Sequence, residues 1–371
     1  TTFICELPWS DMLFCFIDPA VRFSPDFPRL SLRPNVQPAA LIVTSRCWPA
    51  PLRFAEAVVE CGVLAHIASP RSNDFLYGLA SSYRHSYDHF WPQGSLLKAI
   101  SKTNPSILVP ADDRILTALM LLHDARRNRF GCGDHIVQLI ESSLGNLSSY
   151  AVLINRAAFM EEARTLGIAA PLTKPVSSKA AVSKVVNEIG FPVVLKLDGT
   201  SGGTGISMAS DPNDAASKCR MLLSPWRRIK KKFGSSFRGE GSILASREEW
   251  AKPALNAQAY IQGRPATTSF ACWAGELIGA IHAEVLQEAW ANGPATVVKI
   301  VTNDQMETNA RKIALRFGLS GVHGLDYVID ETTKIPWLVE INPRLTQTAH
   351  LALGRGRDLA SCLLACAIKR P

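Results

Sequence analysis

From residue 40 onward, short apolar runs alternate with amphipathic stretches. Ala40–Thr44 reads as a buried strand, residues 51–61 place apolar positions at helical spacing, and Gly62 marks the end of that helix. Val63–Ala68 is a second strand, residues 95–103 a helix, Ser106–Pro110 another strand, and residues 113–127 a helix. Strands alternating with helices predict a parallel, doubly wound α/β sheet over residues 39–148. Upstream, Pro19, Pro25, Pro28, Pro34 and Pro38 recur with Arg22, Arg29 and Arg33 between them. Residues 1–38 are therefore expected to be a leader without regular elements.

The pattern changes near residue 150. Residues 155–166 form an amphipathic helix stopped by Gly167, and residues 179–188 another stopped by Gly190. Strand-like segments follow at 192–198, 205–209, 257–262, 267–273, 276–283, 296–301, 324–330 and 335–341, with helices at 304–317 and 356–368. This half reads as α+β, and no internal repeat is visible.

Composition removes several function classes. The chain has 371 residues, 47% hydrophobic and 19% charged, enough for roughly two to three folded domains. No run approaches the ~20 apolar residues of a membrane helix. The opening segment has neither the basic start nor the small-residue cleavage site of a secretory signal. Nine cysteines form no C-x-x-C pair, so reduced thiols and a cytoplasmic location are expected, with Cys362 and Cys366 in the core. Much of the net charge of +8 sits in Arg227, Arg228, Lys230, Lys231 and Lys232, with Arg238 nearby. No aromatic or base-reading pattern accompanies that block. It reads as a solvated face within the insertion 224–256, not as a nucleic-acid site.

Two segments carry candidate chemistry. In the strand Val193–Asp198, alternation puts Val193, Leu195 and Leu197 on one face and Val194, Lys196 and Asp198 on the other. A lysine in an apolar strand is costly unless its ammonium meets an anion or water. Gly199, Gly202, Gly203 and Gly205 follow within seven residues, a loop able to bring bare N–H groups to phosphate oxygens. No Gly-Lys-Ser/Thr ends it, so it is not a Walker A loop. Gly199-Thr-Ser201-Gly-Gly203 also satisfies the nucleophile-elbow pattern, with Asp326 and His350 following in hydrolase order. That reading needs a helix after the turn, whereas Ile206–Ala209 reads as a strand followed by a turn at Asp211-Pro212. Thr44–Pro49 lacks the glycines of a dinucleotide fingerprint, which counts against a dehydrogenase.

The second segment runs from Gly324 to Arg344 and reads as a hairpin. A turn centred on Thr333 would set Asp330 against Pro336, Val328 against Leu338, and Asp326 against Glu340. Parity places Leu338, Glu340 and Asn342 on one face, with Val339 and Ile341 on the other. Directly opposed side chains lie about 5 Å apart at Cβ, so two carboxylates there call for a cation between them. Asp, Glu and Asn offer hard oxygens suited to Mg²⁺ bridged to a triphosphate. Arg344 stands where a guanidinium can neutralise a transferring phosphoryl group or an oxyanion.

Lys196 with its glycine loop, Asp326, and Leu338-Val-Glu-Ile-Asn-Pro-Arg344 resemble the ATP-grasp superfamily over roughly residues 40–355. The resemblance implies an N-terminal Rossmann-like parallel-sheet domain (39–148), a helical entry with a small lid (149–257) and a C-terminal antiparallel-sheet domain carrying the metal site (258–371). It further implies ATP held by Arg156, Lys196, Gly199, Ser201, Gly202, Gly203 and Gly205, with Gln258, Tyr260 and Ile261 in a strand framing the adenine. Asp326, Glu340 and Asn342 would hold Mg²⁺, or Mn²⁺ in its place, while Arg344 and Lys196 act in catalysis. Two departures stand out: Arg156 where relatives carry lysine, and Gln258-Ala259 where they often carry an acidic pair. The implied reaction activates a carboxylate as an acyl phosphate and couples it to an amine or similar nucleophile. Phosphorylation of bicarbonate, as in biotin carboxylase or carbamoyl-phosphate synthase, and a nucleotide-binding module without ligation are the rivals. Thr346, Gln347 and His350 are candidates for the substrate pocket, and Trp273 for pocket or core. Small-molecule carboxylate and amine partners are expected, with homodimerisation common in relatives and neither nucleic acid nor membrane.

Overall fold

The computed structural model describes residues 14–17, 38–71, 83–177, 181–198, 205–224, 254–290, 293–353 and 358–368. The first part contains β1 (Phe14–Ile17), β2 (Ala39–Val43), α1 (Ala50–Glu60), β3 (Leu64–Ser69), β4 (Arg84–Ser86), α2 (Pro92–Thr103), β5 (Ile107–Pro110), α3 (Asp113–Phe130) and α4 (His135–Leu144). Strands β4-β3-β2-β5 form a four-stranded parallel sheet. Its central strand β2 is buried along its whole length, as a strand with helices on both faces must be. At the carboxyl end of the sheet, Asp112 caps α3 by accepting from the Ile115 amide. The same carboxylate accepts from Thr44 Oγ1 (3.0 Å), the Ser45 amide (2.6 Å) and Ser45 Oγ (2.8 Å), tying the ends of β2 and β5 together.

The middle of the chain contributes α5 (Tyr150–Leu153), α6 (Arg156–Thr165), β6 (Thr173–Val176), α7 (Val182–Ile189), β7 (Val193–Leu197), β8 (Ile206–Ala209), α8 (Pro212–Leu222) and β9 (Leu255–Ala259). Strands β6-β9-β7-β8 form an antiparallel sheet. Its apolar face, with Val193, Leu195 and Leu197 from β7, packs on α7 and α8 as a core built only from this segment. The remainder comprises β10 (Gly263–Trp273), β11 (Glu276–Glu288), β12 (Ala295–Val301), α9 (Asp304–Phe317), β13 (Gly321–Asp330), β14 (Pro336–Asn342) and α10 (Leu359–Ile368). These strands, joined by β1, make a six-stranded sheet ordered β1-β12-β11-β10-β13-β14.

The six-stranded and parallel sheets share their cores. Leu41, Val43 and Leu108 lie in one cluster with Phe270, Leu325, Tyr327 and α9, while Ile42, Ile107 and Val109 lie in another with Ile281, Val298 and α10. The alternation along β2 thus feeds both clusters. No helix among the described residues is long and apolar enough to cross a membrane.

Several expectations are corrected. Phe14–Ile17 is a strand pairing parallel with β12; it lies between Pro8 and Pro19. Asp211-Pro212 is a helix start, not a turn: Asp211 accepts from the Asn213 and Asp214 amides, and proline at the first helical position needs no N–H. The strand expected over 257–262 spans Leu255–Ala259 and stops before Tyr260. The helix expected from residue 356 is described from Leu359. Elements α4, β4 and β6 were not legible in the apolar pattern. The basic block 227–232 and most of the insertion around it lie outside the described residues.

Candidate active site

The hairpin β13–β14 is the base of the site. Asp326 pairs with Glu340 and Gly324 with Asn342, as parity requires. Nearer the turn the register differs from expectation: Val328 faces Trp337 and Ile329 faces Pro336. An irregularity at Val339 absorbs the extra residue. Leu338 therefore opposes Tyr327, on the buried side with Leu325 and Ile341, not on the side of Glu340. The bulge also leaves the Val339 carbonyl to accept from Lys196 Nζ and Gln258 Nε2, each at 3.4 Å.

Asp326 is held from both sides. Thr267 Oγ1 of the neighbouring β10 donates to its Oδ1 at 3.0 Å, and Asn342 Nδ2 donates to its Oδ2 at 2.8 Å. Burial, reinforced by the nearby Glu340 carboxylate, still pushes Asp326 up to about 6. Across the site stands Lys196 on β7, only 6% exposed. Burial first, then the positive charge of Arg156, lowers Lys196 to about 8. Arg156 opens α6, capped by Asn155, whose Oδ1 accepts from the Ala158 amide. Its Nη2 donates to Glu340 at 2.9 Å and its Nε to Asp198 at 3.3 Å, while Nη1 is buried with no partner among the described residues.

Arg344 spreads its guanidinium over three acceptors: Asn342 Oδ1 through Nη2 (2.9 Å), the Leu345 carbonyl through Nη1 (3.1 Å), and Asp113 Oδ1 through Nε (3.1 Å). Asp113 belongs to α3, so the parallel sheet reaches directly into the site. The Leu345 amide strengthens that seam by donating to the Pro110 carbonyl at 2.9 Å.

The fold thus brings Arg156, Lys196, Asp326, Glu340, Asn342 and Arg344 into one cluster. Gly205 is buried at the start of β8, its carbonyl accepting from the Leu197 amide. Gly199, Ser201, Gly202 and Gly203 lie outside the described residues. The strands flanking that loop, β7 and β8, are antiparallel partners, so the segment leads into a strand and not into the helix a nucleophile elbow requires. Gln258 is buried and also donates to Thr173 Oγ1. Tyr260 and Ile261 sit beyond β9, in the link to β10, and Tyr260 is 41% exposed. Thr346 Oγ1 bonds to Ser269 Oγ, His350 is largely buried with Nδ1 unpartnered among the described residues, and Trp273 packs against the core.

Sequence reasoning did not single out Asp198, Asn256, Thr267 or Asp113 as site residues. Asp198 carried a usable signal, its parity with Lys196. Thr267 and Asp113 needed the pairing of β10 with β13 and the packing of two sheets.

Among the described residues, no cluster of three or more His, Cys, Asp or Glu side chains is placed to hold a metal. Asp326, Glu340 and Asn342 form a set of two carboxylates and an amide, with the charges of Arg344 and Lys196 near the Asp326 carboxylate. Such a set fits a hard divalent ion whose remaining ligands come from phosphate and water.

A family model of the ATP-grasp domain matches residues 158–348, just over half of the chain, and the chain belongs to that family. No curated protein sequence matches it. Among solved structures, biotin carboxylase from Campylobacter jejuni, in complex with β,γ-ATP, is similar with a TM-score of 0.59 at 14% identity, covering 90% of this chain and 71% of that one. N5-carboxyaminoimidazole synthase from Aspergillus clavatus, in complex with ADP and 5-aminoimidazole ribonucleotide, gives 0.60 at 12% identity over 88% and 77%. The L-amino acid ligase from Bacillus licheniformis gives 0.55 at 11% over 90% and 74%. At these identities the likeness is one of fold.

Proposed function

We propose that this ATP-grasp ligase activates a carboxylate as an acyl phosphate on Mg-ATP and joins it to an amine or similar nucleophile. The observation that carries the reading is the opposition of two cations, Lys196 and Arg156, to the Asp326–Glu340–Asn342 set, with Arg344 at its edge. Lys196 and Arg156 supply positive charge for phosphate oxygens in a largely water-excluded site, where each charge is worth more than in solvent. Asp326, Glu340 and Asn342 would hold Mg²⁺, which when bound neutralises charge on the phosphoryl oxygens. A substrate carboxylate oxygen attacks the γ-phosphorus, the bond to the bridging oxygen breaks, and ADP leaves. The nucleophile then attacks the acyl carbon, Arg344 stabilises the tetrahedral oxyanion, and phosphate departs as the nucleophile gives up its proton.

In this reading residues 39–148 shape the substrate side, 149–257 carry the lid, and 258–371 carry the metal ligands. The test is Mg-dependent ADP release from ATP across pooled amino acids and small carboxylic acids. ADP formation that rises with one carboxylate–amine pair supports ligation and names both substrates. ADP formation with bicarbonate alone would move the assignment to bicarbonate phosphorylation, and nucleotide binding with no ADP from any pool would count against ligation.

A further inference from the structure

The guanidinium of Arg156 offers five N–H donors in a rigid plane. Two vertices are anchored on different elements: Nε on Asp198, just past β7, and Nη2 on Glu340 of β14. The third vertex, Nη1, is buried and has no partner among the described residues. A charged donor left without an acceptor in a buried site marks the place where an anion belongs.

Asp198 is itself clamped. Asn256 Nδ2 donates to the same Oδ1 at 3.0 Å, and the Asp198 amide donates to the Ala254 carbonyl at 2.9 Å. Burial raises the Asp198 carboxyl, against the pull of Arg156 and Asn256. Its carboxylate is therefore held in this position at a cost in solvation, and what it obtains there is a grip on Nε. Two anchors on one planar fork fix its orientation, whereas a lysine ammonium on a flexible stem has no second vertex to grip. The arginine at position 156 and the aspartate at 198 belong together.

Building on the nucleotide site proposed above, we propose that Asp198 is a positioning residue: together with Asn256 it aims Arg156 so that Nη1 receives a phosphoryl oxygen of the bound nucleotide. Asp198 touches no phosphate itself and acts through Arg156.

The test is calorimetric titration of the full chain with ADP in Mg²⁺ buffer, with thermal melts confirming that each variant folds. Asp198→Ala is expected to weaken ADP binding about tenfold, as loss of a charge-assisted hydrogen bond implies. Asp198→Asn keeps an oxygen acceptor for Nε and is expected to stay within about threefold of wild type. In an Arg156→Lys background, adding Asp198→Ala should cost nothing further, because the partner is gone. If Asp198→Ala leaves ADP affinity unchanged, or costs the same with Lys at position 156 as with Arg, the inference is overturned and Asp198 merely supports the lid. A wild-type chain that binds no ADP overturns the nucleotide reading itself, a result distinct from either.

Discussion

Lys196 shows how much a single position can reveal. An ammonium within Val193–Leu197 opposes the apolar character of its strand, and among the described residues it is buried with one long contact to a carbonyl. Its lowered value of about 8 gives the sign of a pH effect. In the nucleotide-free protein the ammonium is charged below that value and neutral above it, so ADP affinity should fall between about pH 7 and about pH 9.5. Lys196→Met should bind ADP more weakly and lose that slope; a retained slope would mean another group titrates. Glu340→Ala should lower Mg-dependent ADP release by at least roughly a hundredfold while the chain remains folded by circular dichroism. Ser201→Ala should leave ADP release within about twofold of wild type, since the loop is expected to work through backbone N–H groups.

At the scale of elements, the hairpin β13–β14 divides what pattern can and cannot say. The pairing of Asp326 with Glu340 follows from parity, but the face of Leu338 does not, because one extra residue reverses every side chain beyond it. The start of β10 carries a second constraint. A Cβ on Gly263 would lie 2.1 Å from the Ile329 carbonyl oxygen, so only glycine lets β10 approach β13 there. Gly263→Ala should destabilise the protein by about 1–3 kcal/mol, read as a lower denaturant midpoint, because backbone must move to accept the methyl group. An unchanged midpoint would show that the strand ends can part freely.

At the scale of the molecule, the six-stranded and parallel sheets share their cores while the antiparallel sheet β6-β9-β7-β8 keeps a core of its own. Across the shared seam, Asp113 of α3 grips Arg344, three acceptors in all fixing that guanidinium. If the parallel sheet sets the aim of Arg344, Asp113→Ala should lower kcat by about 10- to 100-fold while ADP affinity stays at the wild-type level. A loss of ADP affinity in step with kcat would instead place the effect on the nucleotide.

The sequence alone determined the alternation that builds each sheet, the lysine-and-glycine-loop segment, and the Glu-x-Asn-x-Arg run with its opposing aspartate. These are local: period-two alternation and short spacings decide which side chains share a face. Only the tertiary structure decided that Arg156, 184 residues from Glu340 along the chain, bonds to it, that Asp198 takes the other edge of the same guanidinium, and that Asp113 anchors Arg344. Those contacts join elements from different sheets, and no periodicity in the chain records how sheets pack against one another. The short strands β4 and β6 escaped for a related reason, since their stability comes from neighbours that pair with them and not from an apolar run of their own.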